Sequence, residues 1–391
     1  MRLTRLVKTI HRCRVVAVSL PCLVLIYNSI STVYAAPLTV VSYNVENLFH
    51  PKHDTVWKPN PNNVLRPSTG HSIEQSSSPV KGREIFIEKD DYEWTPEGER
   101  RWSYTRYYRK VENIARVLTN IGEWDGVDIV GLQEVENALC VKRLCYTLRP
   151  GEYDFVHYES PDPRGIDVAL IYKKSRVDTL NSKPLPVEVL RTATGSPIEQ
   201  SSSPAQGRES REEKLVTRDI LYVCVRVDKR DTLHLFVCHL PSQRGGVAES
   251  EWKRTAVKEI LQRSIDSVYA LHPAAKIIVM GDMNSEPKED LRGVKNKKPT
   301  PNPSLKGREQ NNTSHIGTHK YQGRWSCLDQ FYTSPALDSL SRAEIYNAAW
   351  IQEPDEKYLD LKPKRTYNGF RYQKDGFSDH LPILLKLKIK N

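Results

Sequence analysis

A series of short apolar runs, each closed by polar residues, constrains this chain most. LTVVSYNV (38–45), VDIVGLQEV (127–135), YDFVHY (153–158), IDVALIY (166–172), ILYVCVRV (220–227), LHLFVCHL (233–240), KIIVMGDM (276–283) and PILLKLKI (382–389) are rich in Val, Ile and aromatic side chains. Their length, composition and flanking turn formers predict strands. RYYRKVENIARVLTNIG predicts a helix, with Val111, Ile114, Leu118 and Ile121 at helical spacing and Gly122 at its end. AESEWKRTAVKEILQRSIDSVYAL predicts another, with Trp252, Val257, Ile260, Leu261, Ile265 and Val268 on one stripe. The runs 220–227 and 233–240 are separated by DKRDT, which predicts an antiparallel pair. The expected class is α+β, a sheet sandwich with helices on its outer faces.

Other stretches interrupt this pattern. IEQSSSPVKGRE (73–84) returns as IEQSSSPAQGRE (198–209), and PSLKGRE ends at Glu309. The copies lie too far apart for stacked repeats. They are rich in Ser, Pro, Gly and charge, with little to bury. They predict surface insertions near 51–95, 185–213 and 286–320 within one domain, 36–391.

The N-terminus differs from the rest. Arg2, Arg5, Lys8, Arg12 and Arg14 precede VVAVSLPCLVLIYNSI, and VYAAP follows. This order predicts a secretory signal peptide over 1–35, cleaved after Ala35, and export to the periplasm or outside the cell. No later run is long and apolar enough to span a bilayer. The formal charge is +10, and removing the basic leader leaves about +5. Such mild basicity is compatible with an anionic substrate and does not demonstrate nucleic-acid binding. Cys140, Cys145, Cys224, Cys238 and Cys327 follow the leader. An odd number argues against a full disulfide framework. Cys140 and Cys145 are close enough in sequence to pair in an oxidising compartment.

Polar residues gather at strand ends, where a rigid scaffold can aim them. SYNVEN places Asn44 and Glu46 on one face of an extended chain, by the period-two rule. GLQEVEN supplies Gln133 and Glu134, VCHLPSQRGG supplies His239, VMGDMNSEP supplies Asp282 and Asn284, and FSDHLP supplies Asp379 and His380. Each alone reads as a solvated turn residue or a core histidine. Together they form the inventory for hydrolysing a phosphate ester. Carboxylate and amide oxygens suit a hard cation, Mg²⁺ first, with Mn²⁺ or Ca²⁺ as alternatives. Histidine can hold or move a proton near neutrality, and an adjacent Asp can orient it. Arg164 could grip a phosphate or pair with Asp162 or Asp167. Arg218 and Arg244 are similar candidates.

These blocks, with RGIDVALIY and WSCLDQF, resemble the ordered blocks of the endonuclease/exonuclease/phosphatase superfamily over about Leu38 to Ile389, insertions excluded. The resemblance implies a DNase I-like four-layered α/β sandwich: two packed, mainly antiparallel β-sheets flanked by helices. It implies Glu134 as the main Mg²⁺ ligand, with Asn44 and Glu46 beside it and Asp379 assisting. Asp282 would prepare the attacking water, and Asn284 would hold water or phosphate. His380 would stabilise the transition state, paired with Asp329. His239 would serve as general acid or phosphate contact. Glu46 stands where some relatives carry Asp, which leaves open direct or water-mediated metal contact.

The resemblance leaves substrate open. An exported endonuclease acting on DNA or RNA is the leading expectation. A phosphomonoesterase or phospholipase-like enzyme on inositol phosphates, sphingomyelin or another small ester is the alternative. A binding protein on the same scaffold is disfavoured by the complete set of competent residues. RRWSYTRYYRK (100–110) interleaves Arg with aromatics and could track a phosphate backbone, or simply form the outer face of a helix. A monomer is the default. Deleting residues 68–84 should leave hydrolysis of a small phosphodiester largely intact. Collapse of that activity in a deletion variant with an unchanged circular dichroism spectrum would show that the insertion shapes the site.

Overall fold

All the expected strands form, their ends shifted by up to three residues. They assemble into two main sheets. The first has seven strands, in the order Thr300–Pro301, Ser341–Ile345, Ile383–Leu387, Leu38–Leu48, Ile129–Val135, Asp167–Lys173 and Tyr153–His157. The second has six, in the order Lys295–Lys297, Asp329–Thr333, Lys276–Asp282, Asp231–His239, Ile220–Val227 and Val177–Leu185. Antiparallel pairings dominate both, and 220–227 pairs with 231–239 antiparallel as expected. The parallel pairings include Leu38–Leu48 with Ile129–Val135 and Lys276–Asp282 with Asp231–His239. This computed structural model describes residues 37–52, 92–191, 213–287, 290–302 and 317–388. The leader and the repeat copies lie outside them. The described residues all belong to one unit, Pro37–Ile389. Among them, no helix is long and apolar enough to cross a membrane.

The second sheet explains why its strands are apolar throughout. Leu233, Leu235, Val237, Ile278 and Met280 join the core shared with Val41, Leu132 and Leu170 of the first sheet. Their alternating neighbours Phe236, Cys238, Ile277 and Val279 pack instead with Val257, Leu261 and Ile265 of the helix Val247–Leu271. Both faces are covered, so period-two patterning vanishes from the sequence. Each fully buried Leu or Ile contributes roughly 1.5–3 kcal/mol over an exposed one. Gly131 brings the sheets together: a Cβ there would lie 2.7 Å from Met280 Sδ.

The helix Tyr104–Gly122 begins at Ser103, whose side chain caps the Arg106 amide. It buries Val111, Ile114 and Leu118 against the core, and Ile121 is partly buried there. Sequence reasoning missed the helix Ala138–Leu148, although Asn137 caps it and Cys140, Val141, Leu144 and Cys145 bury one stripe. It also corrects the cysteine expectation. Cys140 and Cys145 are both free and buried. Five residues apart on a helix they point about 140° away from each other.

The strands Val177–Leu185, Asp329–Thr333 and Ser341–Ile345 were missed as well. The first is an edge strand, where Pro184 and alternating polar residues are tolerated. Paired strands lie within and beside the expected insertions. Glu188–Arg191 and Glu213–Val216 pair with each other, and Lys295–Lys297 joins the second sheet.

Gly281 carries a separate constraint. Its φ is +143°, and a Cβ would collide with the backbone carbonyl of Cys238 on the neighbouring strand. Gly281→Ala should cost about 2 kcal/mol or more, read as a lower urea midpoint with unchanged slope. An unchanged midpoint would show that the two strands separate without strain.

Candidate active site

The site forms where the strands of both sheets end. In the second sheet, Asp282 is in register with His239 on one side and Asp329 on the other. His239, Asp282 and Asp329 continue the parity of Val237, Met280 and Phe331, so they extend the inter-sheet face. Residues far apart in sequence thereby stand in one row. The first sheet answers with Asn44, whose Nδ2 donates to Asp282 Oδ2 at 3.1 Å across the gap. His239 Nε2 lies 3.6 Å from the same oxygen, and His380 Nε2 lies 3.8 Å from it. His380 Nδ1 is bonded to Asp329 Oδ2 at 2.7 Å. The Asp329 backbone is in turn anchored to the fully buried Thr318 hydroxyl.

Several of these residues leave regular strand geometry. Glu46, Asn47, Glu134 and Asn284 all have positive φ, between 47° and 64°. The ladder shifts register between Asn44 and Leu48 and between Gln133 and Val135. Such bulges re-aim side chains. The expectation that Asn44 and Glu46 share a face of an extended chain therefore fails, because the backbone turns at Glu46. Asn284 turns likewise, its amide donating to the Leu240 carbonyl at 2.9 Å while its own N–H caps Asp282 Oδ1.

Glu134 is the carboxylate best placed for a hard cation. Its Oε2 is fixed by the Asn47 amide at 2.9 Å, and its Oε1 faces Arg164 and His239, each at 3.8 Å. The buried atoms His239 Nδ1, Gln133 Nε2 and Asp329 Oδ1 have no hydrogen-bond partner. Unsatisfied polar atoms and an open carboxylate oxygen fit a site that takes an ion, water or a phosphoryl group. His319, Asp379 and His380 also gather donor atoms within 4.8 Å of one another. There Asp379 is held by Arg365 at 2.6 Å and His380 by Asp329.

Residues 86–389 match the model of the Endonuclease/Exonuclease/phosphatase family. The chain belongs to the endonuclease/exonuclease/phosphatase family. Solved structures similar to this chain include TDP2 from C. elegans, 15% identical with a TM-score of 0.48, covering 90% of this chain and 75% of that one. A mannosyl-6-phosphatase from Bacteroides thetaiotaomicron is 13% identical with a TM-score of 0.47, covering 90% of this chain and 100% of that one. No curated protein sequence matches the chain.

The arginines of this family member divide by role. Arg164 turns into the site, donating to Asn47 Oδ1 at 2.9 Å, and pairs with neither Asp162 nor Asp167. Asp167 instead accepts from the Ser160 amide. Arg218, expected to touch substrate, is a buried brace that binds the His239 and Leu240 carbonyls and Asp162, each at 3.1 Å. Arg244 is exposed on the loop before the helix Val247–Leu271. Asp379, expected beside the metal, is paired with Arg365, and Glu46 is bound by Thr366, Lys110 and Arg365.

Lys110, His319 and Arg365 escaped the sequence reading. Lys110 had a signal, since it lies on the apolar stripe between Tyr107 and Ile114. His319 and Arg365 lie in polar stretches with no period to mark them.

Electrostatics sets the two site histidines apart. Burial, reinforced by Arg218, Arg164 and His380, pushes the His239 pKa well below the ordinary imidazole value. Burial also disfavours charging of His380, but Asp329 and Asp282 outweigh it and raise its pKa well above that value. Burial raises Asp282 to about 6, against the lowering effect of His380.

Burial and then His380 lower the His319 pKa to about 4. The unfolded chain, with an imidazole pKa of about 6.5, binds a proton that the fold excludes in this window. The contribution of His319 is therefore complete above that value and is lost as pH falls through about 4. His319→Gln should lose less Tm than wild type between pH 7 and pH 4.5. Parallel declines would remove His319 from the acid limb.

Proposed function

We propose that this family member is an exported, metal-dependent phosphodiesterase that cleaves nucleic acid as an endonuclease. The observation that carries the reading is the buried carboxylate of Asp282, approached by Asn44 and by two imidazoles of opposite protonation state. A carboxyl raised to about 6 is a competent base for water near neutrality. Asn44 and the Asn284 amide orient its two oxygens. His380, kept protonated by Asp329, can donate to a phosphoryl oxygen as charge develops there. Of the two roles expected for His239, phosphate contact suits a neutral imidazole better than general-acid work. Arg164 adds a positive charge at the mouth of the site. Glu134 would hold the divalent cation, which supplies charge neutralisation at the phosphoryl oxygens.

Nucleic acid is favoured by exposed rings and cations on two segments that also contact Glu46, through Lys110 and Thr366. Tyr104, Tyr108 and Arg109 are exposed on the helix Tyr104–Gly122. Arg100 lies over Trp94, 4.6 Å from its ring centroid, and reaches the carbonyl of Gly369. The hairpin around Gly369 carries Phe370, exposed at 69%, and its base binds Glu46 through the Thr366 amide. Aromatic rings alternating with cations beside a hydrolytic centre suit stacked bases and a phosphate backbone. Export rests on the composition of the basic and apolar leader.

The test incubates the protein and its Glu134→Ala variant with supercoiled plasmid, in Mg²⁺ and in EDTA. Nicking that needs both Mg²⁺ and Glu134 is expected. Absence of nicking, with release of phosphate from small phosphomonoesters, would replace nuclease by phosphatase. Asp282→Ala and His380→Ala should each lower kcat by roughly 10² or more. Near-normal turnover in folded Asp282→Ala would take Asp282 out of the scheme.

A further inference from the structure

Glu46 shares the bulge that carries the site, yet its carboxylate faces cations that belong to the chain. Oε2 accepts the Thr366 amide at 2.6 Å and lies 3.8 Å from Lys110 Nζ. Oε1 lies 3.6 Å from Arg365 Nε. Lys110 is 1% exposed, and its ammonium also donates to Thr366 Oγ1 and to the Phe377 carbonyl. Its ammonium thus donates to Thr366 and Phe377 and stands at ion-pair distance from Glu46. This is an oxygen-lined cation site whose occupant is a lysine. A second divalent ion bound to Glu46 would stand within a few ångströms of both an ammonium and a guanidinium. Like charges that close repel strongly in a buried setting.

We propose that Glu46 is a positioning residue and not a metal ligand, its charge answered by Lys110 and Arg365. What Glu46 positions can be followed through bonds. Its backbone, at φ 53°, donates N–H to Asn44 Oδ1 at 3.0 Å. That bond fixes which way the Asn44 amide faces and leaves Nδ2 to meet Asp282. Lys110 and Thr366 therefore reach Asp282 through Glu46 and Asn44. They come from the first long helix and from the C-terminal third of the chain, which also meet through Asn113 and the Gly376 carbonyl and through Arg116 over Phe377.

The proposal rests on the phosphoesterase reading in one respect, that Glu134 holds the cation. The test titrates the full chain with Mn²⁺ by calorimetry and by electron paramagnetic resonance. A single equivalent is expected, and Glu134→Gln should abolish it. Glu46→Gln should keep Mn²⁺ affinity within about threefold while kcat falls about 10- to 100-fold, the pattern of a residue behind the ligands. A second equivalent that disappears in Glu46→Gln would overturn the proposal, as would a tenfold or greater weakening of the single one, about 1.4 kcal/mol. Failure of the wild type to bind Mn²⁺ at all would instead overturn the metal-dependent reading itself.

Discussion

The carboxylate of Asp282 is the constraint on which the site depends. It is buried at the end of a strand whose neighbours on both sides present His239 and Asp329 in register. The opposite sheet reaches it through Asn44. An unpaired buried carboxylate is costly, so its surroundings must supply donors. They do so through the Asn44 side chain of the first sheet and the Asn284 backbone N–H. The two sheets must pack closely for Asn44 to reach, and Gly131 against Met280 shows how little room is left between them. Packing in the core and geometry in the site are therefore one requirement.

The second requirement is local strain. Straight strands would carry alternating side chains past the site. The chain instead bulges at Glu46 and at Glu134 and turns at Asn284, all in a region of backbone space that side chains other than Asn rarely enter. Strain of this kind persists only where the surroundings over-determine it. Here they do. The Glu46 carboxylate is held by Thr366, Lys110 and Arg365, and Glu134 by the Asn47 amide. The polar network is thus what keeps the backbone bent.

This division explains what could be read from the sequence. The apolar strands were legible because burial writes itself into composition, and the strand-end residues because so many acids, amides and histidines follow apolar runs. His239 and Asp282 come together on the register of two legible strands, and Asp329 joins them on a third that composition did not mark. The bulges break that regularity, so the face shared by Asn44 and Glu46 was misjudged. Lys110 was legible in principle, as a cation on an apolar stripe. Arg365 owes its place to a loop and His319 to a three-residue strand of a short hairpin, segments too short for a period to link a residue to its neighbours. The edge strand Val177–Leu185 was hidden for a related reason: one side of it faces no partner strand, and its composition follows solvent.

Two imidazoles flank one carboxylate at nearly equal distance, 3.6 and 3.8 Å, yet their protonation differs. Asp282 helps raise His380, but both rings stand beside it, so proximity alone does not separate them. The difference lies behind the rings. His380 has Asp329 at its back and Asp379 next in sequence. His239 has no hydrogen-bond partner on Nδ1, and Arg218 is bonded to its own carbonyl. A buried brace therefore has an electrical consequence: Arg218 holds the strand end in place and also helps keep His239 neutral. A neutral arginine replacement would loosen both effects together, which is why a residue with every look of a structural support belongs to the chemistry of the site.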